Sequence, residues 1–128
     1  MLLTDVYGPH IPGERQAFLQ NLVKISMYPE DLWVVGGDFN MITSLVEKIG
    51  GMRRTDMDME LFGDTITKQR LVDIQNINGV HTWNNRRGGN HQIASRLDKF
   101  MISEQVMSID IFVEASILPG MGLDHWPI

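Results

Sequence analysis

The stretch Leu32-Trp33-Val34-Val35-Gly36-Gly37-Asp38-Phe39-Asn40 most constrains what this chain can fold into. Leu32 to Val35 is an unbroken apolar run, the signature of a strand covered on both faces. Two glycines end the run, so Asp38 and Asn40 are expected just past a strand's carboxyl end. In layered α/β proteins that is a common place for a ligand site. Taken alone, Gly37-Asp38-Phe39-Asn40 reads as an Asx turn closing the strand. The other reading is two side chains, two residues apart, facing one phosphate. Asp38 would then hold water or act as its base, and Asn40 would donate to a nonbridging oxygen.

The neighbouring pattern is mixed α/β. Leu2 to Val6 predicts a short strand, closed by Gly8-Pro9. Pro12-Gly13-Glu14 opens a helix with Phe18, Leu19, Leu22, Val23 and Met27 on its apolar stripe, stopped by Pro29. A glycine-rich loop follows to Arg54. Thr55-Asp56 caps a second helix with Met59, Phe62 and Ile66 inward. Strands are expected at 72–74, 80–83 and 94–102, with Leu97 and Phe100 in the core, a polar turn over 84–90, and extended chain from Ile109 to Val113. A chain of 128 residues suits one domain. The absence of cysteine excludes disulfides and thiolate metal sites. No long apolar run or leader pattern appears, which predicts an intracellular protein, nuclear or cytoplasmic, with no membrane partner. The net charge of −5 argues against holding DNA by bulk electrostatics. Local contacts remain open at Arg53-Arg54 and Arg86-Arg87, which read equally as solvated turn tips.

Four short stretches carry the chemistry: Val6-Tyr7-Gly8-Pro9, Gly37-Asp38-Phe39-Asn40, Ser95-Arg96-Leu97-Asp98 and Asp124-His125-Trp126-Pro127-Ile128. They supply three carboxylates, an imidazole, a carboxamide and a phenol, each beside apolar residues able to position it. That inventory suits hydrolysis of a phosphate ester with a divalent cation. Each residue also has a plain structural reading. Asp98 could pair with Arg96 or Lys99, Tyr7 could be a half-buried strand residue, Trp83 could simply pack a hairpin, and Glu47-Lys48 reads as a solvated ion pair.

In that order the stretches resemble the endonuclease/exonuclease/phosphatase superfamily of exonuclease III, apurinic endonucleases and deoxyribonuclease I. The closer likeness is to the C-terminal half of the endonuclease domain of plant non-LTR (LINE-type) retrotransposons. Glu47-Lys48 with Gly50-Gly51, Leu71-Val72-Asp73 and His81-Thr82-Trp83-Asn84-Asn85 extend the resemblance along the chain. It implies a partial four-layer sandwich of two β-sheets flanked by helices, with the active site at one end of the sheets. It further implies Asp124 and Asp38 as metal-site acids for Mg²⁺ or Mn²⁺. His125 becomes the imidazole at the scissile phosphate, oriented by Asp98, with Asn40 and Tyr7 gripping phosphate oxygens. DNA is the implied partner, and the parent element would carry a reverse transcriptase domain.

The pattern departs from the family in three places. Leu123 stands where a serine usually precedes the Asp-His pair, and Asp5 stands where an asparagine is common. The family's principal metal-binding glutamate belongs to an N-terminal half that would precede Met1, which leaves a weaker cation site. Residues 1–128 are therefore expected to form the second half of one domain, prone to self-association through exposed sheet edges. The function expected is a metal-dependent phosphodiesterase that nicks DNA by water attack, impaired by truncation. The alternatives are an inactive retrotransposon-derived remnant and a phosphoesterase of the same fold acting on another ester.

Overall fold

The computed structural model describes residues 1–26, 32–52, 54–109, 113–120 and 122–128. Two sheets and two helices organise them. The larger sheet has the order β1-β2-β7-β4, formed by β1 (Leu2–Tyr7), β2 (Trp33–Asp38), β4 (Leu71–Ile74) and β7 (Asp98–Ser103). β1 is parallel to β2, while β7 is antiparallel to both β2 and β4. The smaller sheet joins β3 (Lys48–Ile49), β6 (Ala94–Ser95) and β5 (Trp83–Asn84), all antiparallel.

Helices α1 (Arg15–Ser26) and α2 (Met57–Lys68) cover one face of the larger sheet. Leu19 and Leu22 of α1 and Phe62 of α2 bury against Trp33, Val35, Leu71 and Met101. Phe39, fully buried just beyond β2, stacks on Phe62 at 5.3 Å between ring centroids and meets Phe18 edge-on at 6.3 Å. Such aromatic contacts fix the loop after β2 by geometry as well as by area. The expected cap is present: Asp56 accepts from the backbone N–H of Met59 at 2.8 Å. The expected end of α1 at Met27 and Pro29 lies outside the described residues, as does Arg53 and most of the extended stretch up to Val113. No helix among the described residues is long and apolar enough to cross a membrane.

The structure revises the expected strands in three places. β2 does not end at its glycines but continues through them to Asp38. A Cβ at Gly36 would lie 2.3 Å from the Phe100 ring, and one at Gly37 would lie 2.2 Å from the Val6 carbonyl oxygen. The glycines are close-approach residues inside the sheet rather than a strand end. The expected strand over 94–102 splits at Arg96-Leu97, so β6 and β7 belong to different sheets. The physical reason is the Arg96 side chain, which is buried between the two. It makes two bonds to Asp73, at 2.6 and 2.7 Å, and another to Glu47 at 3.0 Å. Leu97 and Phe100, expected in the core, are half-buried. The strand expected over 80–83 is reduced to Trp83–Asn84, which takes Asn84 from the expected turn.

Glu47 is a further correction, of a side chain rather than a strand. The solvated ion pair expected of Glu47-Lys48 is not found: Glu47 is buried and bonds Lys99 at 2.9 Å and Arg96 at 3.0 Å. Lys99 is fully buried in turn, with its ammonium 5.8 Å from the centre of the Phe62 ring. Burial pushes the Glu47 carboxyl up, but the Lys99 charge and hydrogen bonds from Thr43 outweigh it and hold the group at about 2.

Candidate active site

Strand register places the site. Across β1, β2 and β7, Tyr7 is the partner of Asp38 and Asp38 is the partner of Asp98. Alternation along each strand puts the buried Val35, Lys99 and Met101 on the helix-covered face, and Asp38 and Asp98 on the other. Two carboxylates directly opposite one another repel. His125 lies against both: Nδ1 is 3.1 Å from Asp98 Oδ2, and Nε2 is 3.6 Å from Asp38 Oδ2. Donor atoms of Asp38, Asp98 and His125 all fall within 4.8 Å of one another.

Each member is held separately. The C-terminal segment is tied to β5 by an antiparallel bridge between His125 and Trp83, with Trp126 N–H donating to the Thr82 carbonyl at 2.6 Å. Thr82, fully buried, donates its hydroxyl to Asp98 Oδ2 at 2.7 Å and accepts from the N–H groups of Leu97 and Asp98. An ionised carboxylate only accepts, so Asp98 selects the His125 tautomer with hydrogen on Nδ1. Neither Arg96 nor Lys99 makes its ion pairs with Asp98; they go to Asp73 and Glu47.

Asp38 divides its two oxygens. Oδ1 accepts from the backbone N–H of Asn40 at 2.8 Å, which is the Asx turn, while Oδ2 faces His125. The Asx turn of Gly-Asp-Phe-Asn is thus present, and it leaves the second carboxylate oxygen turned to His125. Asn40 adopts a left-handed φ of 51° and donates Nδ2 to the Gly8 carbonyl at 2.6 Å. Burial raises the pKa of Asp38, and nearby Asp98 adds to the rise; the Asn40 N–H, His125 and Lys99 oppose it.

Tyr7 is 80 % exposed at the end of β1, on the rim beside Asp38 rather than in the core. Asp124 is exposed, and its carboxylate accepts from the backbone N–H of His125 at 3.1 Å. It stands beside the Asp38–His125–Asp98 group rather than within it. Asp5 and Asp98 line one cavity of about 400 Å³ with Gly36, Phe100 and Pro127. Leu123 is exposed, and Trp83 is half-buried. Among the described residues, the side chains whose donor atoms gather closely enough to share a cation are Asp38, Asp98 and His125, with Asp124 outside that group. Two carboxylates with retained water are a donor set of the kind hard divalent cations accept.

Sequence reasoning missed Thr82 and Arg15. Thr82 lies sixteen residues before the carboxylate it supports, and no local spacing links them. Arg15 donates to the Asn40 carbonyl and to Asp58, each at 3.1 Å, from a helix end where an arginine looks merely solvated.

No family model matches this chain, and no curated protein matches it significantly. Among solved structures it is similar to the endonuclease domain of TRAS1, a telomere-specific non-LTR retrotransposon, with a TM-score of 0.63 and 18 % identity. The likeness covers 87 % of this chain and 48 % of that one. The fold is of the DNase I-like endonuclease kind. The chain spans about half the length of the solved chain it matches. The expected sandwich of two sheets with flanking helices is what the structure has, and the retrotransposon-endonuclease likeness extends to its fold.

Proposed function

We propose that the site belongs to a metal-dependent phosphodiesterase of endonuclease type, which nicks DNA by attack of water on a phosphodiester. The observation that carries this reading is the imidazole of His125 set between two register-paired carboxylates, Asp98 and Asp38. Asp98, braced by Thr82, fixes the tautomer and orientation of the ring beside a phosphate. Asp38, made more basic by burial, orients the attacking water and takes its proton. Asn40 keeps one amide hydrogen on Gly8 and has a second for a nonbridging oxygen. The Tyr7 phenol, exposed beside Asp38, offers a further donor to the same phosphate. Asp124 and Asp38 would hold Mg²⁺ or Mn²⁺; when bound, such a cation neutralises charge developing on the phosphate or leaving oxygen.

The test is nicking of supercoiled plasmid by the purified chain with Mg²⁺. Asp38→Ala and His125→Ala are each expected to lower the rate by roughly 10²–10⁴-fold, as loss of a positioned acid or base does. Nicking that survives both substitutions, or folded protein that never nicks, would overturn the proposal and favour a non-catalytic remnant.

A further inference from the structure

Beside the candidate active site runs a second, polar groove of about 180 Å³, walled by Asn40, Arg15, Lys48, Arg54, Asp56 and Asp58. Three cations there face two carboxylates, in a chain whose net charge is −5. Both carboxylates are engaged: Asp58 pairs with Arg15 at 3.1 Å, and Asp56 caps α2. Arg15 also donates to the Asn40 carbonyl, so the groove wall and the active-site loop are one hydrogen-bonded unit. Lys48 Nζ donates to the Met52 carbonyl at 3.1 Å, and Arg54 is exposed. The start of α1 and the first turn of α2 both reach this wall, the latter already capped by Asp56. Met52 and Met57, near Arg54 in the chain, are 65 % and 84 % exposed, apolar surface suited to sugars or base edges.

We propose that this groove holds the backbone of duplex DNA next to the scissile phosphate, with Arg54 on its nonbridging oxygens. The inference rests on the nuclease reading of the neighbouring site and names where the rest of the strand lies. Arg15 is the positioning residue: it couples an occupied groove to the Asn40 loop. Contacts of this kind set register and carry no sequence information. They also explain how an acidic chain can engage a polyanion, through a local excess of cations beside the reacting groups.

The experiment measures fluorescence anisotropy of a labelled 20-base-pair duplex in EDTA, across a range of salt. It compares the wild-type chain, Arg54→Glu, and Lys24→Glu on the last turn of α1. Arg54→Glu is expected to weaken binding roughly tenfold at low salt and to reduce the slope of log K against log salt by about one. Lys24→Glu is expected to bind as the wild type does. Equal losses in the two variants, or no loss in Arg54→Glu, would overturn the groove. Plasmid nicking by the same proteins separates the two proposals. Nicking that persists while the slope ignores Arg54 sinks the groove alone. Arg54-dependent binding without nicking sinks the nuclease reading and leaves only a DNA-binding groove, with no scissile phosphate beside it.

Discussion

At the residue scale, Glu47 decides how the chain answers to acid. Its carboxyl is held at about 2, against 4.5 for an ordinary glutamate. A group whose pKa is lower folded than unfolded contributes stability that is fully present above the unfolded value. That contribution is lost as pH falls from about 4.5 towards 2. Glu47→Gln removes the negative charge shared by buried Lys99 and Arg96, and breaking one partner of such a network costs about 3–5 kcal/mol at neutral pH. The gap between wild type and Glu47→Gln in urea unfolding, followed by tryptophan fluorescence, is expected to shrink as pH falls through that window. A gap that stays constant would show that Glu47 is not the titrating group. No sequence feature announces this network. Glu47 and Lys48 are adjacent and of opposite sign, so they look like a surface pair. The true partners of Glu47 arrive from β7 and from the crossing before it, a long way down the chain.

At the element scale, the strands were legible where periodicity was local and misread where a side chain from elsewhere bent the chain. The apolar stripes of α1 and α2 and the Asp56 cap depend on near neighbours, and the sequence reading matched them. Asp38, expected just past the strand, is its last residue, while the pairing of Asp98 with His125 came from the family resemblance and not from spacing. Two things were not legible: that Asp38 and Asp98 are direct register partners, and that β6 and β7 part at Arg96. Both follow from pairing between segments far apart in the chain. The glycines of β2 give this reading a test. At Gly37, with φ of 133°, an added methyl meets the Val6 backbone, which has nowhere to move. At Gly36 it meets the Phe100 ring, which borders an apolar cavity of about 320 Å³ and can turn into it. Gly37→Ala is therefore expected to cost about 2–4 kcal/mol and Gly36→Ala about 1–2 kcal/mol by urea unfolding. The reverse order would mean that β2 ends at its glycines after all.

At the scale of the whole molecule, the two faces of the larger sheet are unequal. One is sealed by α1 and α2, while the other leaves that 320 Å³ cavity among Leu32, Val34, Phe100, Ile102 and Val106. β1 is an edge strand of the sheet, and Leu3 on it is 68 % exposed. An exposed apolar edge beside an apolar cavity is a template for another chain, so copies of this protein are expected to associate. Electrostatics works against this: each copy carries −5, and like-charged copies repel until salt screens them. The apparent mass in size-exclusion chromatography should rise with both protein concentration and salt. Leu3→Lys separates the two forces, because it takes the net charge from −5 to −4 while placing a charge on the edge. If repulsion alone set the balance, that variant would associate more; if edge pairing drives it, the variant elutes as a monomer at concentrations where the wild type does not. We expect the monomer. A compact monomer from the wild type at high salt would show that the open face is closed within one copy.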